Sequence, residues 1–111
     1  MSRDDLLSGE ILFEIETPLE FRVRTTVRYW EFITTIKHPI MRDKLEEVRQ
    51  TLVSPDEIRL SKSDPQIYLF YRSDGLKRWV CAVTRRLEAD GFLITAYRTS
   101  AIKEGDVLWQ M

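Results

Sequence analysis

From Glu57 onward the chain is punctuated by turn residues at intervals too short to hold helices. Lys62-Ser63-Asp64-Pro65, Ser73-Asp74-Gly75 and Asp90-Gly91 separate four segments rich in β-branched and aromatic side chains. These segments are Glu57–Ser61, 67–72, Arg78–Arg86 and Phe92–Thr99. Neighbours joined by loops this short must run antiparallel, because a parallel return needs a crossover of a dozen or more residues. The pattern therefore predicts a four-stranded antiparallel meander. Side chains alternate along a strand, so Trp79, Cys81 and Val83 share one face. Thr95, Tyr97 and Thr99 likewise share a face, opposite Ile94 and Ala96. Beyond this meander, Val107-Leu108-Trp109 is expected to fold back onto the domain.

The first half reads differently. Ile11, Phe13 and Ile15 alternate within residues 10–16, Thr17-Pro18 breaks the run, and alternation resumes over Phe21–Arg24. That is a hairpin with Arg22 and Arg24 turned away from Phe21 and Val23. In the next stretch Val27, Trp30, Ile33 and Ile36 recur at helical spacing despite many β-branched residues. Thr26 can cap its first turn, and Pro39 ends it at His38. A second helix covers 43–53, with Asp43 as cap and an apolar stripe of Leu45, Val48 and Leu52. Trp30, Ile33, Ile94 and Ala96 are expected in the core. A hairpin, two helices and then a four-stranded antiparallel sheet make an α+β fold with the helices on one sheet face. The other face stays open for a site.

Composition narrows the function. A chain of 111 residues makes one domain, 1–111. Its single Cys81 permits no internal disulfide, and with only His38 there is no multi-histidine metal centre. No apolar run reaches membrane-spanning length, and Met1-Ser2-Arg3-Asp4-Asp5 lacks the character of a signal peptide, so a cytoplasmic protein is expected. The net charge of −1 argues against a general nucleic-acid binder. Its distribution weakens that argument: residues 57–103 hold 9 Lys and Arg against 5 Asp and Glu, while residues 1–56 hold 8 against 11. The basic half can meet phosphate, or its arginines simply solvate strand faces.

Trp30 and Ile33 lead into Lys37-His38-Pro39. A helix follows, then Ser54-Pro55-Asp56-Glu57-Ile58-Arg59-Leu60-Ser61, a Tyr-rich strand and Gly91-Phe92-Leu93-Ile94-Thr95-Ala96-Tyr97. Over about residues 20–109 this succession resembles small bacterial and phage proteins of the Barnase–EndoU–colicin–RelE (BECR) ribonuclease superfamily, its phage-type branch in particular. The resemblance implies a RelE-like fold and a metal-independent RNA endonuclease, toxin-like or phage-derived. Many relatives of that kind are uncharacterised. A non-catalytic module that keeps the fold and binds protein or nucleic acid is the alternative.

Metal-free RNA cleavage needs a base for the 2′-hydroxyl proton, an acid for the leaving oxygen and cations for the developing phosphorane charge. His38 is the one side chain whose ordinary pKa lies near neutrality. It reads as general acid or base, or as a histidine meeting the free carbonyls of a helix end. Thr95 and Tyr97 complete the expected catalytic set, and Tyr97 can also stack on a base. Arg59, Ser61, Lys37 and Thr99 are expected phosphate or RNA contacts, with Arg78, Arg85 and Arg86 joining them if register allows. Ordinary polar-out alternation accounts equally well for Thr95, Tyr97 and Thr99. Cys81 alternates with core residues and is not a nucleophile. No cofactor and no metal ion are called for; RNA and a protein inhibitor or partner are the implied partners, with no membrane.

Overall fold

Residues 9–102 and 104–111 are described by a computed structural model. The leading residues that bear on a signal peptide, and Lys103, lie outside them. Over the described residues the chain forms β1 (Ile11–Glu16), β2 (Arg22–Thr26), α1 (Val27–Phe32), β3 (Glu57–Leu60), β4 (Ile67–Ser73), β5 (Trp79–Leu87), β6 (Asp90–Thr99) and β7 (Asp106–Gln110). Between α1 and β3 lie a π-turn (Ile33–Lys37), a 3₁₀ turn (Pro39–Met41) and helix α2 (Leu45–Val53).

β1 and β2 pair antiparallel as the alternation predicts, with Ile15 opposite Val23. The meander is also present: β3, β4, β5 and β6 pair antiparallel in succession. It is not a separate sheet, however. The strand order is β1-β2-β6-β5-β4-β3-β7, one seven-stranded sheet. The hairpin joins through a parallel β2–β6 pairing, Arg22 opposite Asp90 and Arg24 opposite Phe92. The tail adds β7 beyond β3. Both additions come from pairings distant in sequence, which no turn signal records. The expected four-stranded sheet is therefore the centre of a larger mixed one.

The helices cover one face. Val48 and Leu52 are fully buried and Leu45 packs beside them, against Phe70, Val80, Ala82 and Ile58 from the sheet. Phe21 closes one end of this core, its ring 5.3 Å from Tyr68 and 6.0 Å from Phe70. Arg86 stacks over the Phe21 ring at 4.6 Å. On the opposite side of the hairpin, Arg22 and Arg24 both reach Glu14 and Asp90 at 3.2–3.7 Å.

Two helical details differ from expectation. Thr26 does cap α1, accepting from the Tyr29 amide at 3.0 Å. The helix then widens, the His38 amide donating to the Ile33 carbonyl five residues back at 2.7 Å. The widened turn rotates Ile36 out of the apolar stripe to 66% exposure, while Trp30 and Ile33 stay buried. Asp43 is not the cap of α2; Lys44 occupies that position with no side-chain hydrogen bond to the helix.

β6 ends third from one edge of the sheet and β7 lies at the other, so the link between them crosses the face that the helices leave uncovered, where its Ile102 packs on Leu69, Tyr71 and Cys81. The crossing ends at Gly105, whose φ is +86°. A Cβ there would meet the Leu60 carbonyl oxygen at 2.7 Å and the Arg59 Cβ at 2.9 Å. Gly105→Ala combines backbone strain with that collision and should cost about 2 kcal/mol or more, read as a lowered urea midpoint; an unchanged midpoint would show that the crossing is not seated as described.

Candidate functional site

The site begins with an irregularity in β6. Val83 pairs with Thr95 but Thr84 pairs with Leu93, leaving Ile94 as an extra residue, a β-bulge. Leu93 and Ala96 face the core and are fully buried, whereas Ile94 is displaced and half-buried, contrary to its expected core position. Its carbonyl accepts from the Tyr29 hydroxyl at 2.8 Å and from the Lys37 ammonium at 3.4 Å. These bonds hold the end of the helical segment against the outer edge of β6.

His38 is carried to that edge. Its amide is fixed to Ile33, its carbonyl accepts from the Met41 amide at 3.0 Å, and Pro39 follows in the next turn. The imidazole lies against Tyr97, with ring centroids 5.6 Å apart and planes at 40°. Residues 59 positions apart in the sequence thus meet. Lys37 is beside them, its ammonium also 5.6 Å from the Phe32 ring centre.

Tyr97 belongs to a row across the sheet, in register with Cys81 and, through it, Tyr71. The two hydroxyls and the thiol are close neighbours beneath the chain that links β6 to β7, where Ile102 packs on the same cluster. Burial, then the neighbouring Cys81, raises both tyrosines well above the ordinary phenol range. Burial likewise pushes the Cys81 thiol up to about 12. The expected open face is therefore covered at this row. Tyr97 presents its ring to His38 and its hydroxyl to the interior.

The other expected site residues are placed as follows. Thr95 lies on the Tyr97 side of β6, but its hydroxyl is sealed from solvent with no hydrogen-bond partner. The Thr99 hydroxyl donates to the Ala101 carbonyl at 3.0 Å. Arg59 and Ser61 are not brought to His38. β3 lies three strands from β6, about 14 Å at ordinary strand spacing. Arg59 pairs there with Glu57 and donates to the Gly105 carbonyl at 3.3 Å. Ser61 closes a local turn with Ser63, the two hydroxyl oxygens 3.2 Å apart. Arg85 is engaged by Gln66 at 2.8 Å and Asp64 at 3.3 Å. Sequence reasoning passed over Arg98 because an even-numbered residue of β6 falls on the other face. At the strand end both faces border one cleft, which Arg98 lines together with Thr99.

Glu57 begins β3, as the strand pattern predicts, and is a buried carboxylate. Burial pushes its carboxyl up. The hydrogen bonds from Gln110 and Arg59, together with the Arg59 charge, outweigh this and hold it below the ordinary carboxylate range. Among the described residues no three His, Cys, Asp or Glu side chains are grouped to hold a metal ion. No helix among them is long and apolar enough to cross a membrane. No family model, curated protein or solved structure gives a significant match to this chain.

Two outcomes are expected from this geometry. Cys81 should resist a thiol reagent in the native protein at neutral pH and react once urea unfolds it; rapid native labelling would contradict the sealed cluster. Because the Glu57 carboxyl is lowered in the fold, its stabilisation is present above the unfolded carboxyl range near 4.3 and fades as pH falls through the folded value. The stability gap between wild type and Glu57→Gln should therefore narrow on acidification, measured as urea midpoints between about pH 7 and pH 3.

Proposed function

We propose that the edge where the π-turn meets β6 engages RNA and cleaves it without a metal ion, the activity implied by the resemblance to BECR ribonucleases. The supporting observation is the packing of the His38 imidazole on Tyr97 at 5.6 Å. A titratable ring and an aromatic ring at one rim suit a splayed nucleotide, with the base stacked and the ribose beside the imidazole. In this reading His38 moves the 2′-hydroxyl proton or protonates the leaving oxygen. Tyr97 contributes its ring and not its hydroxyl, which is turned towards Cys81. Thr95 is then a structural neighbour of the site.

The second reading, a binding module without catalysis, draws on different observations. Arg59 is neutralised by Glu57, and the Thr95 hydroxyl is buried. In that case the same rim binds a partner and no bond is broken.

Purified full-length chain incubated with total RNA, with and without chelator, separates the two. Cleavage that survives chelation should fall about 10²–10⁴-fold in His38→Ala, while Tyr97→Phe retains more activity than Tyr97→Ala. Absence of cleavage by the wild type under every condition would leave the binding module.

A further inference from the structure

A cleft of about 300 Å³ opens at the end of β6, lined by Ile40, Arg78, Arg98, Thr99 and Ser100. Ile40 on one wall is two residues beyond His38; on the other, Arg98 follows Tyr97 directly and Thr99, on the Tyr97 side of the strand, is two residues beyond it. Along β6 that is about 7 Å at the usual strand rise, a distance that one nucleotide of extended backbone spans. We infer that this cleft is a phosphate subsite, and that it takes the backbone phosphate of a single-stranded RNA adjacent to the nucleotide held at the His38–Tyr97 rim. The choice of RNA rests on the function proposed above; the anion site does not depend on cleavage.

The chemistry of the lining favours an anion. Arg78 stands at the base of the β4–β5 hairpin and is exposed. Among the described residues it has no ion-pair partner. Arg98 forms an ion pair with Asp74, its Nε 3.2 Å from the carboxylate, without an aligned hydrogen bond between them. That contact uses the side of the guanidinium and leaves the terminal nitrogens, the pair that grips a phosphate in bidentate fashion. With two arginines against one aspartate, the cleft keeps a net positive charge. Guanidinium groups only donate, so the missing complement is an acceptor-rich, negatively charged group.

The remaining wall selects what the anion is attached to. Ile40 is 67% exposed on the 3₁₀ turn, an apolar surface beside the cationic end of the cleft. A phosphate attached to a ribose and base fills both parts, whereas a free inorganic anion fills only one. A carboxylate-rich peptide would satisfy the arginines but matches neither the apolar wall nor the one-nucleotide offset from Tyr97.

The test is fluorescence anisotropy of a short 5′-labelled oligoribonucleotide, with the full chain carrying His38→Ala so that the probe stays intact. Arg78→Ala in that background should weaken binding at least about fivefold and lower the salt slope by about one phosphate contact. Arg49→Ala, on the outer face of α2 and paired with Glu46, should change neither. Unlabelled oligoribonucleotide should compete far better than inorganic phosphate. Equal competition by phosphate would mean a free-anion site, and equal competition by polyglutamate an acidic-protein site; either overturns the RNA assignment. RNA binding unchanged in Arg78→Ala, or no RNA binding at all, overturns the subsite even if the wild type cleaves RNA. Arg78-dependent binding by a wild type that never cleaves keeps the subsite and removes the catalysis. Melting curves of each variant confirm that Arg78→Ala, a surface change, leaves the fold intact.

Discussion

The crossing from β6 to β7 governs what the sheet can offer. β6 is paired on the inside with β5, and β7 must pair with β3 at the far edge, so the chain has to pass over β5 and β4. The helices already occupy one face, and the crossing takes the other. It turns Leu69, Tyr71 and Cys81 into a second buried cluster and shifts the site from the sheet face to its rim. The passage requires Gly105, where close contact with Leu60 and Arg59 excludes a side chain. Exclusion of water under the crossing is also what raises the tyrosine and thiol pKa values.

Two small departures from regular geometry shape the rim that remains. The π-turn adds a residue to the helical segment, and the bulge at Ile94 adds one to β6. Each interrupts a backbone ladder and redirects the residues that follow. Together they expose Ile36, free the Ile94 carbonyl for Tyr29 and Lys37, and set His38 against Tyr97. A regular α1 would have kept Ile36 on the apolar stripe, and a regular β6 would have kept Ile94 in the core.

The arginine excess of residues 57–103 is largely committed to structure. Arg59 answers the buried Glu57, Arg85 ties to Gln66 and Asp64, and Arg86 lies over Phe21. Arg78, without an ion-pair partner among the described residues, and Arg98, paired only through its Nε with Asp74, lie at one end of β6 and close to the rim. A weakly acidic chain can in this way concentrate positive potential where a single phosphate would lie, without the general basic surface of a non-specific nucleic-acid binder.

The elements themselves were legible in the amino-acid sequence. Alternation and turn residues located β1 to β6 within a residue or two, Thr26 and Pro39 marked the limits of the first helical segment, and Leu45, Val48 and Leu52 marked the buried side of α2. All of these depend on residues near one another in the chain, where periodicity and capping chemistry act directly. The parallel β2–β6 pairing, the position of β7 and the covering of the second face were decided only by the tertiary structure. So were the separation of Arg59 from His38 and the contact of His38 with Tyr97. Those features come from strand order, and strand order is set by which distant surfaces bury one another best, a comparison that spacing along the chain does not encode.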